Sequence, residues 1–386
     1  MVSLSLRLIA VALGVVSCMT APVMAQDATD ADVAAIPASV HAPLIEPVAY
    51  EATDVAETES VTTYNNESLP ILLAAAPASN RVKRSYSYKG KFAGNVAGSY
   101  DRVTALAGCK KTKINKKNGI GPLSDGVSMV FRGPMNIHNI AVYQPSNGKW
   151  NRVSSFAQGG KTVNMVFMNN KNIDYSGQNK HGPQGLATAD GIGLSSNSVQ
   201  FSGKLAEAKE PNKIGGGPGI STGAEVNILT GAKCNGQCIG FQGDNDYKGW
   251  SGGKKIFVTK VQMPKGGKPN QPAIWMLNAQ VVHSGQYGCN CRGMGAAGGC
   301  GELDIAEVIE TNAARDRVSA HYYFYDGTLN APNGDNWGPR PTNAPTVYVT
   351  LMDESGEGLI KILELEDFDF GMTSISTDLF NQWVKA

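Results

Sequence analysis

Gly301-Glu302-Leu303-Asp304-Ile305-Ala306-Glu307-Val308-Ile309-Glu310 decides the reading of this chain. Its apolar residues give it strand character, yet it holds four carboxylates. Successive strand side chains point to opposite faces, so Glu302 and Asp304 share one face while Leu303 and Ile305 share the other. Strict alternation would drive Glu307 into the core, where an unpaired charge is very costly. One extra residue, a β-bulge at about Ala306, removes the conflict. The bulge turns Glu307 onto the face of Glu302 and places Val308 with Leu303 and Ile305. The stretch therefore predicts a bulged strand that lines a concave surface with Glu302, Asp304 and Glu307.

Three close carboxylates cannot all ionise freely, because like charges raise the pKa of at least one. Glycoside hydrolysis uses such a split: one ionised carboxylate attacks and one protonated carboxyl donates. Retaining enzymes hold the two groups about 5–5.5 Å apart. A calcium site and an exposed acidic edge strand are the competing readings. Upstream, Pro272-Ala273-Ile274-Trp275-Met276-Leu277 is a second strand. Its Trp275 either packs in the core or stacks on a sugar face.

Composition supports a β fold. Of 386 residues, 45 are glycine and only 17% are charged. This excludes coiled coils, long helical bundles and charge-rich disordered chains. Further strand-like runs are Val127–Phe131, Ile137–Tyr143, Val163–Met168, Ser198–Phe201, Glu225–Leu229, Lys255–Met263, Val318–Tyr325, Val347–Met352 and Leu359–Leu365, with Gly, Pro and Asn between them. Their spacing predicts an all-β sandwich or jelly roll. One short helix is expected over Thr377–Val384. A net charge of +1 gives no global field for nucleic acid or anionic lipid. Lys110-Lys111-Thr112-Lys113 reads as a solvated loop, and Gly215-Gly216-Gly217-Pro218-Gly219 as a turn without the lysine of a phosphate loop.

The N-terminus reads as a signal peptide over residues 1–25: Arg7, the apolar run Leu8–Val16, then Val23-Met24-Ala25 before Gln26. Its core is too short to span a bilayer, so no membrane partner is expected. Residues 26–84 read as an acidic disordered prosegment or linker, with nine acidic residues and no Lys or Arg from Gln26 to Asn80. It ends in Arg81-Val82-Lys83-Arg84, which suits a processing protease cutting before Ser85. Beyond that point 30 basic residues face 24 acidic ones. Six cysteines outside the signal, Cys109, Cys234, Cys238, Cys289, Cys291 and Cys300, are disulfide candidates with the pairing open. The rival is a zinc site from Cys234, Cys238, Cys289 and Cys291.

The Pro-Ala-x-Trp strand followed by Glu-x-Asp-x-x-Glu resembles glycoside hydrolase family 16. A closer resemblance joins Gln271–Asn278, Gln286-Tyr287-Gly288, Cys289-Asn290-Cys291 and Gly299-Cys300-Gly301-Glu302-Leu303-Asp304 to the C-terminal domain of fungal target-of-SBF-type (Tos-like) cell-wall proteins. Gly98-Ser99-Tyr100-Asp101-Arg102, Phe131-Arg132-Gly133-Pro134 and Val166-Phe167-Met168-Asn169-Asn170 are similar to the N-terminal domain of that family. The resemblance implies a glycine-rich β module over 85–185 and a concanavalin-like jelly-roll domain over 186–386. It implies a secreted endo-β-1,3-glucanase (a glucan endo-1,3-β-D-glucosidase), outside the cell or in its wall, with β-glucan as partner. Glu302 would be the nucleophile, Asp304 the assisting carboxylate and Glu307 the acid/base. Trp275 would stack on sugar, and His321 is a weaker candidate for contacting the site. No cofactor is implied beyond an unplaced structural calcium. The alternatives are a glucan transglycosylase and a non-catalytic glucan-binding wall protein. Two departures stand out: the acidic prosegment, and Arg292 where the family's Cys-x-Cys-Trp pattern would place Trp.

Overall fold

Apolar side chains alternate along most strands, and in a two-layer fold that alternation decides which face of each sheet meets the other. The computed structural model describes residues 79–116, 119–170, 184–197, 199–208, 225–238, 246–286, 289–292, 299–323, 329–330 and 336–386. All belong to one compact unit, Leu73–Ala386. The signal peptide, the acidic segment to residue 78 and the glycine run at 215–219 lie outside the described residues.

The strands run β1 (Val82–Lys89), β2 (Gly98–Ala105), β3 (Lys110–Lys116), β4 (Val127–Arg132), β5 (Met135–Ser146), β6 (Lys149–Ala157), β7 (Thr162–Val163), β8 (Val166–Asn170), β9 (Gln184–Leu186) and β10 (Lys204–Leu205). They continue with β11 (Glu225–Leu229), β12 (Lys254–Gln262) and β13 (Ala273–Asn278), followed by helix α1 (Ala279–Ser284). Then come β14 (Glu302–Glu307), β15 (Arg317–Tyr323), β16 (Leu329–Asn330), β17 (Trp337–Pro339), β18 (Thr346–Asp353), β19 (Leu359–Leu365), β20 (Ser374–Ile375) and helix α2 (Thr377–Lys385). One antiparallel sheet has the order β1-β19-β18-β12-β5-β6-β20, and the other β16-β15-β14-β13-β4-β11-β8-β9. The pair β2–β3 stands as a separate two-stranded ribbon. The fold is thus an all-β sandwich.

Between the sheets lies a core that includes Phe131, Met129, Ile274 and Met276 from one layer and Phe257, Val261, Ile140 and Ile362 from the other. The β12 sheet is apolar on its outer face as well: Ile256, Val258, Val349 and Leu363 pack with Leu379 and Trp383 of α2. Two covered faces explain why β12, β18 and β19 read as continuous apolar runs. The helix forms as expected, capped by Ser376 Oγ accepting from the Leu379 amide at 3.1 Å, a contact that stabilises by about 1 kcal/mol.

Residues 85–185 and 186–386, expected as separate domains, share both sheets. β4 pairs with β13 on one side and β11 on the other, and β5 lies between β12 and β6. Ser198–Phe201, expected as a strand, contains no strand among its described residues. Phe201 instead anchors the segment against Phe156 and Phe167, at 6.0 and 4.6 Å between ring centroids. The basic motif Arg81–Arg84 enters β1 at Val82. Arg84, expected to end a disposable segment, lies inside a strand paired with β19.

Candidate active site

The bulge is present, one residue earlier than expected. Against β13, Asp304 pairs with Trp275 and Ala306 with Ile274, so Ile305 has no opposite partner. Against β15, Asp304 pairs with His321 and Glu307 with Ser319. Leu303, Ile305 and Val308 fall in the core. Glu302, Asp304 and Glu307 emerge on the other face, as the charge argument required.

The three carboxylates meet three cationic side chains. Arg292 Nε donates to Glu302 Oε2 in a buried ion pair. His321 Nε2 lies 3.1 Å from Asp304 Oδ2 and 3.6 Å from Glu307 Oε2. Arg132 Nη2 donates to Glu307 Oε1 at 2.9 Å, while its Nε donates to the Gln271 carbonyl at 2.8 Å. Burial is deep: Glu302 and Asp304 are each 2% exposed. Glu307 is the more open of the acids, with a side chain 20% exposed.

Burial and the neighbouring Asp304 charge push the Glu307 carboxyl above the usual carboxylate range, and Arg132 and His321 only partly offset this. A carboxyl in that state keeps its proton where an ordinary glutamate has lost it. Burial alone would lower the pKa of His321, but Asp304 and Glu307 outweigh it and push the imidazole up to about 9. His321 is thus a cation at neutral pH. Its Nδ1 meets Ser319 Oγ at 3.1 Å, which fixes the ring orientation. The Tyr323 phenol, opposite Glu302 in register, is also pushed up by burial and by Asp304.

Sequence reasoning placed Glu302, Asp304, Glu307, Trp275 and His321 in this region, and the structure brings them together. Trp275, however, is only 1% exposed. The guanidinium carbons of Arg132 and Arg292 lie 5.3 and 5.7 Å from its ring centroid. It supports the two arginines and presents no open face for a sugar. Arg132, Arg292, Ser319 and Tyr323 were missed as site residues. Arg292 had a signal, because it departs from the pattern at a stacking position; the others depend on cross-strand register. Trp337 was missed as well. It pairs with Ser319, which pairs with Glu307, and is partly exposed.

All six described cysteines are in disulfides: Cys109–Cys289, Cys234–Cys238 and Cys291–Cys300. This replaces the four-cysteine zinc alternative, because Cys289 and Cys291 bond away from Cys234 and Cys238. Among the described residues, two groups bring metal-competent atoms within 4.8 Å: Cys234, Cys238 and His283, and Asp304, Glu307 and His321. The first has its sulfurs joined, and the second is internally ion-paired. Neither offers the all-oxygen shell that calcium prefers.

A family model described as the C-terminal part of cell wall protein YJL171C/Tos1 matches residues 148–383, and the N-terminal model of the same family matches 88–145. A Saccharomyces cerevisiae protein named probable circularly permuted 1,3-beta-glucanase TOS1 is 32% identical over 257 residues, covering 62% of this chain and 50% of that relative. A Candida albicans protein named probable circularly permuted 1,3-beta-glucanase PGA52 is 25% identical over 348 residues, covering 81% and 85%. A Saccharomyces cerevisiae protein named probable circularly permuted 1,3-beta-glucanase YJL171C is 26% identical over 292 residues, covering 69% of each. The chain spans about half the length of the TOS1 relatives from Saccharomyces cerevisiae and Candida albicans. No solved structure matches it.

Proposed function

This chain belongs to the YJL171C/Tos1 cell wall protein family, and from that premise we propose that it is a secreted glycoside hydrolase that cuts β-1,3-glucan of the cell wall by a retaining mechanism. The observation that carries the reading is the bulge at Ile305, which puts Glu302, Asp304 and Glu307 on one face of β14. The names of the relatives supply the linkage, which the side chains do not specify.

The proposed chemistry has two steps. A Glu302 oxygen attacks the anomeric carbon while the glycosidic bond breaks, and the leaving oxygen takes the proton of Glu307. Glu307, now ionised, removes a proton from water, which attacks the same carbon and frees Glu302. The raised pKa of Glu307 suits the first step, since the acid must carry its proton at the start. Asp304, paired with His321, lies between the two glutamates along β14. His321 acts here as a counter-ion, and Arg132 holds the Glu307 carboxylate in place between the two steps.

The test is to incubate the secreted protein with β-1,3-gluco-oligosaccharides in ¹⁸O-water and read the products by mass spectrometry. Shorter, labelled products are expected. Longer, unlabelled products would make the enzyme a transglycosylase. Unchanged oligosaccharides with measurable binding would make it a glucan-binding wall protein.

A further inference from the structure

We infer that Arg292 is a positioning residue for Glu302, and that a disulfide-stapled arm, residues 289–292, sets its place; the inference rests on the hydrolase reading above. Four consecutive residues of this arm are each anchored. Cys289 is bonded to Cys109, in the turn of the β2–β3 ribbon. Asn290 Nδ2 donates to the carbonyls of Gly285 and Gln286 at 3.0 and 2.7 Å, and its Oδ1 accepts from the Arg292 amide at 2.8 Å. Cys291 is bonded to Cys300, and its carbonyl accepts from the Cys300 amide. Arg292 then closes onto Glu302.

The strand side is tied just as closely. Gly301 is the single residue between Cys300 and Glu302, and its φ is +84°. A Cβ there would stand 3.1 Å from the Tyr323 carbonyl oxygen, so only glycine carries the chain from bridge to carboxylate without strain. An arginine on an unanchored loop would lose about 2 kcal/mol of rotamer freedom on pairing. Here two bridges, the Asn290 hydrogen bonds and the Trp275 ring restrict it before Glu302 is engaged. The last described side chain of the arm, Arg292, ends on the proposed nucleophile.

Because Arg292 engages Oε2, attack on the anomeric carbon falls to Oε1. A residue that acts through Glu302 governs kcat more than KM. In Arg292→Gln, kcat is expected to fall about tenfold with KM changed less than about threefold, and Arg292→Lys to recover part of the loss. A proportional rise in KM at constant kcat would make Arg292 a substrate contact, and an unchanged kcat would remove its role; either result overturns the inference. Breaking the second bridge with Cys291→Ser/Cys300→Ser should lower kcat in the wild-type background and add little in Arg292→Gln, since both changes remove one effect. Equal losses in both backgrounds would show that the bridge supports only the fold. If the cysteine variant does not fold, Asn290→Ala carries the same comparison without touching a disulfide. An inactive wild-type protein would defeat the hydrolase reading, whereas an active wild type with an indifferent Arg292→Gln would defeat the inference alone.

Discussion

Two clusters of acids and bases sit on this sandwich, and the same residue types behave oppositely in them. On β14, Glu302, Asp304 and Glu307 meet Arg292, His321 and Arg132 in a buried site. At the β1–β19 edge, Arg81, Lys83 and Arg84, themselves partly open to solvent, meet a buried Glu364 and an exposed Glu366. In the first cluster burial and a like charge raise Glu307. In the second, burial pushes Glu364 up but Lys83 and Arg84 outweigh it, and hydrogen bonds from Arg81 and Ser79 hold Glu366 down, so both lie below the usual range. Ion pairing is common to both. What differs is the balance around each acid: Asp304 adds a like charge beside Glu307, whereas Lys83 and Arg84 both donate to Glu364, and that difference turns a pair that only fastens strands into one able to hold a proton for chemistry.

The sharpest break of the comparison is at Glu307. Glu307→Gln and Glu302→Gln should each lower glucan turnover by about 10²–10⁴-fold, measured as reducing-end release, with glucan binding retained. Near wild-type turnover in either variant would place the buried cluster in the same structural class as the edge cluster.

Arg132→Gln tests the electrostatics next. The guanidinium favours ionised Glu307, so its removal lets the carboxyl keep its proton to higher pH. The alkaline limb of kcat/KM is expected to move up by about 1–3 pH units. Breaking a buried pair also destabilises by about 3–5 kcal/mol, which a urea titration would register. An unmoved limb would mean that the group titrating on that side is not Glu307.

His321 links the site to stability. Its folded pKa of about 9 lies above the ordinary imidazole value of 6.5, so its contribution is fully present below pH 6.5 and is lost as pH rises through about 9. The separation corresponds to an upper bound on the order of 3 kcal/mol. The unfolding midpoint of wild type should therefore fall between these pH values, and that of His321→Asn should be flatter. A parallel decline in both would assign the pH dependence elsewhere.

The contrast between the clusters also explains what could be read from the sequence. Period-2 alternation located most central strands, and β11 and β19 match their expected ranges in full. The β14 bulge was legible because an unpaired glutamate in the core is too costly to occur. The cations were not legible, since Arg132 reaches Glu307 only through the β4–β13–β14 register, which joins residues 175 apart. At β1 the sequence left two readings open. Arg81-Val82-Lys83-Arg84 has the composition of a processing site, but a strand edge bearing complementary charge has the same composition, and its partners Glu364 and Glu366 lie some 280 residues away. The role of Arg340 is illegible in the sequence for a similar reason. Arg340 binds the carbonyls of Met263, Pro264 and Arg315 and the Asn270 side chain, four partners from two separate loops.

Within the edge cluster, Glu364 should matter modestly. It accepts from Arg84 Nη1 at 2.7 Å and from Thr346 Oγ1 at 3.0 Å, and Lys83 Nζ is 2.8 Å away. Its folded pKa is depressed, so its contribution is present above the ordinary glutamate value and is lost as pH falls through the lower folded value. Glu364→Gln should cost about 1 kcal/mol at pH 7, and the cost should shrink on acidification. A constant cost across the acid range would attribute it to the Thr346 hydrogen bond instead of the ion pairs.

The smallest effect is expected one pair further out. Arg81 meets Glu366 through two nitrogens, Nε at 2.9 Å and Nη2 at 2.7 Å, which is favourable geometry. Yet the two side chains are 66% and 44% exposed, so water and salt screen the attraction, and holding two long side chains together offsets most of what is left. Glu366→Gln should leave the urea midpoint within error of wild type in about 0.15 M salt, and any difference seen at low salt should vanish as salt is added. A midpoint shift that persists at high salt would mean that the bidentate contact holds β1 to the sheet by hydrogen bonding, and that its solvent exposure does not make this pair weak.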